Sequence, residues 1–365
     1  MTNPHYVAEM PVRLYESEAS PEVIAARYRL DPARIVDFSL NINPFGPPTS
    51  AVAAATQALA RCNEYPDLRL SALRRVLASR HDVAEDAILF GAGLDDVIKL
   101  LLHALTSEGG GVLVHLPTFP RYELEARLRG ARVVLVENDP PWTIGLAGIE
   151  AALAREAIEL AFLCTPNNPT GEKIAPPRVA ALAAAFPQTV FVVDEALIDP
   201  QDAGALPYVR DAANVIVLRT FSKYYGLAGM RIGYAVGPAA LLAAVERGRP
   251  PFNVTNAAQA AALAVLDDTR FVAGCKATFE AEAARFRAGL EGSATLQVRG
   301  GHANMLLLEV TGKPIAAIVD GLAAQGILVA DAACFGGLGK HAAIRVSLRD
   351  RAANERLLAA LKASG

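Results

Sequence analysis

Short apolar runs, many rich in β-branched residues, alternate with segments of helical period over the first two thirds of the chain. The runs are AILF (87–90), GVLVH (111–115), RVVLV (132–136), LAFLC (160–164), TVFVVD (189–194), NVIVLR (214–219) and RIGYAV (231–236). In the intervening segment LDDVIKLLLHAL, for example, Val97, Leu101 and Ala104 share one helix face. Strands that are apolar on both faces need helices on both sides. The alternation therefore predicts an α/β fold with a mainly parallel sheet covered by helices on both faces.

The pattern changes after about residue 250, where long helical segments precede short strands. The strand candidates there are LQVR (296–299), NMLLLEV (304–310), ILVA (327–330) and AIRVSL (343–348), and a helix is predicted over DRAANERLLAALKA. Near the start, SPEVIAARY predicts a short helix with Ser20 at the N-cap and Pro21 in the first turn. We therefore expect a large domain (41–249) and a smaller C-terminal α/β domain (250–365) that an N-terminal segment (1–40) completes.

Composition argues against several classes of function. The 365 residues include 35 Lys and Arg and 38 Asp and Glu, a formal net charge of −3, with no basic block to attract nucleic acid or an anionic membrane. No apolar run approaches the roughly 18 residues of a membrane span, and the N-terminus has no signal pattern, so we expect a cytoplasmic protein. The scattered four cysteines and six histidines predict reduced thiols and no metal site.

One lysine has neighbours that a solvated side chain does not need. Lys223 follows the predicted strand NVIVLRT and precedes regularly spaced glycines in TFSKYYGLAGMRIGY (220–234). A lysine that is fixed and partly removed from water is available in its neutral form to react with an aldehyde such as pyridoxal 5′-phosphate (PLP). The alternative interpretation is a surface lysine at the end of a strand.

Three motifs resemble those of a known family. The segment S-K-x-x-G-L-x-G-x-R-x-G, from Ser222 to Gly233, resembles the cofactor-lysine segment of the fold-type I PLP enzymes, the aspartate aminotransferase superfamily. CTPNNPTG (164–171) and VVDEA (192–196) resemble other motifs of that family and occur in the expected order. The resemblance covers nearly the whole chain. It implies a PLP cofactor held by the large domain, a small amino-acid substrate and a homodimer.

The resemblance implies roles for the cofactor-binding residues. Lys223 would bind PLP covalently, and Asp194, at the carboxyl edge of the sheet, would pair with the pyridinium nitrogen and keep it protonated. Asn168 would hydrogen-bond the ring oxygen, and Phe119 would either stack on the ring or pack in the core. Tyr65 would reach the cofactor phosphate of the neighbouring subunit. The phosphate itself would lie at a helix N-terminus, near Gly93, Leu94, Asp95, Thr220, Ser222 and Arg231.

The resemblance also suggests residues on the substrate side. Arg345, in AIRVSL, would bind the substrate α-carboxylate with its two-pronged guanidinium. Asn43, in NINPFG, would lie in the segment that closes over the substrate. Arg13 and Arg349 are candidates for a substrate phosphate, and each could equally be a solvated surface residue.

The finer resemblance is to a branch containing histidinol-phosphate aminotransferases and L-threonine O-3-phosphate decarboxylases. The opening DFSLNINPFGPP (37–48) resembles the decarboxylases, because aminotransferases usually have Asn-Glu-Asn where this chain has Asn-Ile-Asn. Leu197 stands where aminotransferases mostly have tyrosine and these decarboxylases tend to have phenylalanine. It matches neither pattern fully, but it removes the hydroxyl. The main expectation is therefore a lyase that makes 1-aminopropan-2-ol phosphate for the cobalamin side chain.

Other activities remain open on the sequence. The alternative is an aminotransferase of the histidinol-phosphate type. A further alternative is a specialised biosynthetic PLP enzyme that forms carbon–carbon or carbon–nitrogen bonds. A non-catalytic PLP-binding homologue is disfavoured, because Lys223, Asp194 and Arg345 are all present.

Overall fold

The computed structural model describes residues 21–364 and arranges their strands in three sheets. Arg13 and Ser20 lie outside the described residues. The strands are β1 (Val36–Asp37), β2 (Ile88–Gly91), β3 (Gly111–Leu116), β4 (Arg132–Glu137), β5 (Leu160–Cys164), β6 (Val190–Asp194), β7 (Val215–Thr220), β8 (Gly233–Val236), β9 (Leu296–His302), β10 (Met305–Val310), β11 (Ile327–Leu328), β12 (Ala330–Asp331) and β13 (Ala342–Ser347).

The helices fill most of the chain between the strands. They are α1 (Pro21–Tyr28), α2 (Thr49–Leu59), α3 (Ser71–His81), α4 (Leu94–Leu105), α5 (Arg121–Leu128), α6 (Leu146–Arg155), α7 (Pro176–Ala185), α8 (Leu206–Val209), α9 (Ala239–Glu246), α10 (Asn256–Leu266), α11 (Thr269–Leu290), α12 (Ile315–Ala323) and α13 (Arg351–Ser364). None of the helices in the described residues is both long enough and apolar enough to cross a membrane.

The largest sheet has seven strands in the order β2-β8-β7-β6-β5-β3-β4, and we call it the large sheet. Its strands β3 to β7 pair in parallel, while β8 runs antiparallel to both neighbours. Alternate residues of β5 join different apolar clusters: Ala161 and Leu163 pack on one face, Leu160 and Phe162 on the other. Both faces are therefore buried, and the predicted α/β fold with a mainly parallel, helix-covered sheet is confirmed.

A second, antiparallel sheet has the order β12-β13-β10-β9, and we call it the small sheet. Beside it, β1 pairs in parallel with β11, and the Tyr28 hydroxyl on α1 donates to Asp320 on α12 at 2.6 Å. These contacts join residues from the N-terminal segment to C-terminal elements, as expected for a segment that completes the smaller unit.

Helix α11 is common to both halves of the molecule. Its 22 residues extend for roughly 33 Å at 1.5 Å per residue. Cys275 and Phe279 in its first half pack in the same apolar cluster as α10 and the large sheet, whereas Phe286 and Leu290 pack beneath the small sheet. One continuous helix thus contributes to two cores, and the domain division at 249/250 stays a prediction.

Strand β9 packs directly against the turn that carries Asn168. A Cβ added to Gly300 would lie 1.9 Å from the carbonyl oxygen of Thr170, and one added to Gly171 would lie 2.3 Å from the carbonyl carbon of Gly301. Gly171 also has φ +73°, a conformation that favours glycine. Glycines at these positions therefore permit a backbone-to-backbone contact that fixes the turn against the small sheet.

A buried carboxylate on β10 makes stability in this region sensitive to pH. Glu309 accepts hydrogen bonds from Arg299 on β9 and from His341 Nδ1 at 2.7 Å, and its side chain is buried. Burial opposes ionisation, but the hydrogen bonds from His341 and Arg299 outweigh it and lower the pKa of Glu309 below its ordinary 4.5. The stabilisation is therefore present above about pH 4.5 and is lost as the pH falls through the lowered pKa.

Glu309→Gln is expected to lower the free energy of unfolding by about 1.5 kcal/mol near pH 7, because it removes the charge of a buried carboxylate whose partner Arg299 is 37% exposed. The difference from the wild type should shrink as the pH falls below about 4.5. Denaturant unfolding across this pH range measures both effects. Glu156→Gln is the control, since its ion pair with Arg132 is largely exposed and should contribute less than about 1 kcal/mol. A difference that does not change with pH would contradict the assignment.

Candidate active site

A cavity of about 350 Å³ lies where β5, β6 and β7 end, with Cys164, Asp194 and Thr220 at the strand termini on its wall. The carboxyl edge of a parallel sheet is where α/β proteins place ligands. Residues predicted from the sequence that line this cavity are Leu94, Asp95, Phe119, Asn168, Asp194, Thr220, Ser222, Lys223, Arg231 and Arg345. Positions separated by up to about 250 residues in the chain thus meet around one space, and their individual roles stay predictions.

Lys223 lies three residues beyond the end of β7 and is partly buried. Its Nζ donates to the carbonyl oxygen of Asn41 at 2.6 Å. Burial, followed by the positive charge of Arg345, lowers the pKa of Lys223 to about 8. More of this lysine is therefore neutral near physiological pH than of an exposed lysine, and the neutral form is the one that attacks an aldehyde.

Asp194 ends β6 and is 3% exposed. The Tyr122 hydroxyl donates to its Oδ2 at 2.6 Å, and the Ala196 amide donates to its Oδ1 at 2.9 Å. Burial raises the pKa of Asp194, and the hydrogen bond from Tyr122 opposes that rise. Burial thus disfavours the isolated carboxylate, and a cation entering the cavity would favour its charged form. This matches the need of a protonated pyridine nitrogen for a buried counter-charge.

The start of α4 lies against the guanidinium of Arg231. Gly93 is the N-cap, with φ +87°, and a Cβ at that position would lie 2.4 Å from Arg231 Nη2. Arg231 lies 3.8 Å from the carboxylate of Asp95. Thr220 and Ser222, which both carry a hydroxyl group, also line the cavity. A helix N-terminus, a guanidinium and hydroxyl groups are suitable donors for a phosphate monoester. The residues present therefore fit PLP at both its phosphate and its ring nitrogen.

Arg345 extends from β13 of the small sheet and is 2% exposed. Its Nη1 donates to Asn168 Oδ1 at 3.0 Å, and its Nη2 donates to the carbonyl of Ser39. Phe119 lies edge-on to Tyr122, with ring centroids 5.6 Å apart. Because Phe119 both lines the cavity and packs on its neighbour, its position is compatible with ring stacking and with core packing.

Five predicted site residues are not among the residues that line the cavity, and one of them, Gly93, directly precedes the lining residue Leu94 at the start of α4. Asn43 Nδ2 donates to the Tyr224 carbonyl at 3.0 Å and to Cys275 Sγ at 3.3 Å, so its amide ties the chain to the protein interior. Arg349 donates to the Asp37 carbonyl at 3.1 Å. Tyr65 is 82% exposed and stacks on Phe252 at 4.6 Å, and its contact with a second subunit stays a prediction. Arg13 lies outside the described residues.

Among the cavity residues that the sequence interpretation missed, two carry a hydroxyl or an amide group, Tyr122 and Asn41. Tyr122 lies three residues after Phe119, a spacing that places both near the first turn of α5 and could have been noticed. Asn41 is the first asparagine of Asn-Ile-Asn, and it lines the cavity whereas the second does not. In the described residues, no group of three or more His, Cys, Asp or Glu side chains is placed to hold a metal ion.

Comparison with known proteins identifies one family. The sequence pattern of the family described as "Aminotransferase class I and II" matches residues 33–361. A histidinol-phosphate aminotransferase of Symbiobacterium thermophilum is 39% identical over 335 residues, which cover 90% of each chain. One of Roseiflexus castenholzii is 34% identical and covers 93% of this chain and 92% of its own.

Solved structures give the same picture of the fold. The histidinol-phosphate aminotransferase of Sinorhizobium meliloti, in complex with pyridoxal 5′-phosphate, aligns with a TM-score of 0.84 at 27% identity, covering 99% of this chain and 97% of its own. The L-threonine-O-3-phosphate decarboxylase of Porphyromonas gingivalis aligns with a TM-score of 0.77 at 22% identity, covering 90% and 99%. At that identity the second likeness extends to the fold alone.

Proposed function

The chain belongs to the class I and II aminotransferases, and from that premise we propose that it is a transaminase with histidinol phosphate as amino donor. PLP is its cofactor, as the family and the PLP-containing structural relative indicate. The sequence alone favoured a threonine-phosphate decarboxylase. The transaminase alternative has better support, because the curated relatives that match 90% or more of the chain are named histidinol-phosphate aminotransferases.

The observation that supports the proposal most is the meeting of Lys223, Asp194 and Arg345 around one cavity. Bound PLP supplies an electron sink for the carbon that carries the substrate amine. Lys223 would hold PLP and, with substrate bound, would act as the base that moves the proton of that carbon through Nζ. Asp194 would pair through its negative charge with the ring nitrogen of the cofactor. Arg345 would hold the acid group of the substrate.

Arg345 suits both partners of such a transamination. Histidinol phosphate carries a phosphate ester where an amino acid carries its α-carboxylate, whereas the acceptor 2-oxoglutarate carries carboxylates. A guanidinium binds either anion through two parallel N–H groups. The buried position of Arg345 also reduces screening by water. One arginine can therefore hold each substrate in turn.

Leu197 is the observation that keeps a decarboxylase as the second candidate. Leu197 is 3% exposed and is one of the residues that line the cavity. Because it is a leucine, this position offers no hydroxyl group to a bound cofactor. Aminotransferases that resemble this chain mostly have a tyrosine here. A decarboxylase does not require that hydroxyl, and the proposed transaminase would work with Asn168 alone at the ring oxygen.

A product assay separates the two candidates. We expect the PLP-loaded protein to form glutamate from histidinol phosphate and 2-oxoglutarate over many turnovers. In a parallel reaction with L-threonine O-3-phosphate and no keto acid, we expect no CO₂. Steady CO₂ release without glutamate formation would instead establish the decarboxylase. Silence in both assays would overturn both candidates.

Tyr122→Phe is expected to lower kcat about tenfold, because it removes a hydrogen bond to a charged group. Since that bond lowers the pKa of Asp194, its loss lets the pKa rise, and the acidic limb of the pH–rate profile should move to higher pH. Steady-state rates across the pH range measure the shift. Tyr28→Phe removes a hydroxyl that bonds Asp320 away from the cavity and is the control. Identical pH profiles for the Tyr122 variant and the wild type would contradict this role.

A further inference from the structure

Residues 39–43, which we call the strap, cross the cavity between Lys223 and Arg345. The Ser39 carbonyl accepts from Arg345, the Asn41 carbonyl accepts from Lys223 at 2.6 Å, and the Ile42 carbonyl accepts from Asn304 at 2.8 Å. The backbone of the strap is thus fixed on both sides of the site. Leu40, Asn41 and Ile42 are among the residues that line the cavity.

The Asn41 side chain is polar, buried and without a partner. It is 8% exposed, and neither its Nδ2 nor its Oδ1 has a hydrogen-bond partner in the described residues. Buried side-chain amides in folded proteins are nearly always hydrogen-bonded. By contrast, Asn168 accepts from Arg345 and Asp194 accepts from Tyr122. The donor and the acceptor of the Asn41 carboxamide are therefore both buried and unsatisfied, in a residue that lines the cavity.

The position of Asn41 points to the substrate as that ligand, with the cofactor bound elsewhere on the wall. The groups that fit the cofactor lie at the strand ends and at the start of α4. Asn41 lies on the strap, between Lys223, near which the substrate amine would lie, and Arg345, which would hold an acid group. A substrate placed in this way would have the rest of its carbon skeleton beside the strap. Around it, Leu40, Ile42 and Leu197 offer apolar surface.

We propose that Asn41 is a specificity-determining residue whose carboxamide hydrogen-bonds the substrate side chain. The proposal rests on the proposed function in requiring an amino substrate at Lys223. A carboxamide presents an N–H donor and an oxygen acceptor, and a neutral imidazole presents one donor and one acceptor. An apolar side chain would leave both polar atoms of Asn41 buried and unpaired, and sites of this kind discriminate strongly against such analogues. Asn41 thus selects side chains that both donate and accept hydrogen bonds.

The test compares Asn41→Leu with Asn43→Leu in the PLP-loaded enzyme. The readout is the ratio of kcat/KM for histidinol phosphate to kcat/KM for leucinol phosphate. We expect this ratio to fall at least about tenfold in the Asn41 variant, as the loss of hydrogen bonds to a buried polar site implies. Asn43→Leu makes the same change two residues along the strap, where the amide bonds Tyr224 and Cys275. It should lower the melting temperature and leave the ratio unchanged.

A second readout separates substrate binding from cofactor binding. The PLP affinity of Asn41→Leu, measured by absorbance titration, should equal that of the wild type. A large loss of PLP affinity would overturn the proposal, because Asn41 would then serve the cofactor. An unchanged selectivity ratio in Asn41→Leu would overturn it as well.

Failure of the proposed function can be distinguished from failure of the role proposed for Asn41. If the wild type does not use histidinol phosphate, the proposed function fails. The role of Asn41 is then decided with L-asparagine and L-leucine, whose binding is read from the change in PLP absorbance. A preference for asparagine that is lost in Asn41→Leu supports the role, and equal affinities in both proteins refute it.

Discussion

Lys223→Ala is expected to abolish turnover, with a loss of at least about 10³-fold, because it removes both the covalent attachment of PLP and the base that moves the substrate proton. The lysine lies against the Asn41 carbonyl, and burial together with Arg345 lowers its pKa to about 8. No other lysine lines the cavity within the described residues. The absorption band that depends on the lysine should also disappear, which a spectrum of the purified PLP-loaded protein reports directly.

Lys276→Ala is the matched control for this substitution. Lys276 is about half exposed and pairs with Asp199 at 2.9 Å, away from the residues that line the cavity. Its loss should leave both the spectrum and the rate unchanged. Normal turnover by Lys223→Ala in the presence of PLP would sink the mechanism, whatever the substrate.

Asp194→Asn is expected to reduce kcat by about 10²- to 5 × 10³-fold. The substitution keeps the shape of the side chain but removes the carboxylate at the end of β6, which lines the cavity. An amide cannot balance a positive charge on the cofactor's ring nitrogen, and an unpaired buried charge costs about 3–5 kcal/mol. Converted to a rate at 1.36 kcal/mol per factor of ten, that cost gives the expected loss.

Asp194→Glu separates the charge from the geometry. It restores the negative charge with one more methylene, so it should recover part of the rate that Asp194→Asn loses. Steady-state kinetics of the three proteins at one pH, with PLP content measured for each, make the comparison. Equal rates for Asp194→Asn and the wild type would show that the carboxylate does not act on the cofactor.

The central strands could be predicted from sequence because their surroundings impose a simple pattern. LAFLC (160–164) was predicted and observed with the same bounds, since a strand covered on both faces is apolar at every position. β1 was missed, because two residues form it and its partner β11 lies some 290 residues later. ILVA (327–330) divides into β11 and β12, which join different sheets. Nothing local in the sequence marks that division.

The site was predictable where motifs fix the backbone and less so where the chain is irregular. Asp194 and Lys223 follow strands, so their place at the sheet edge follows from the fold. The strap forms neither a helix nor a strand, so no periodicity of the sequence indicates which of its two asparagines lines the cavity. The sequence interpretation therefore chose Asn43. In the structure, the Asn43 amide bonds Tyr224 and Cys275 instead, and Asn41 is the asparagine that lines the cavity.

The strap also bears on when the active site forms during folding. Its bonds to Lys223 and Arg345 join residues separated by 182 and 306 positions in the chain. Contacts of such sequence separation carry a large loop-closure entropy and form late. The large sheet can pair its strands before then, but the cavity is complete only when the strap, the lysine and β13 have met. A nascent chain on the ribosome whose β13 is not yet synthesised lacks Arg345 and therefore cannot complete the cavity.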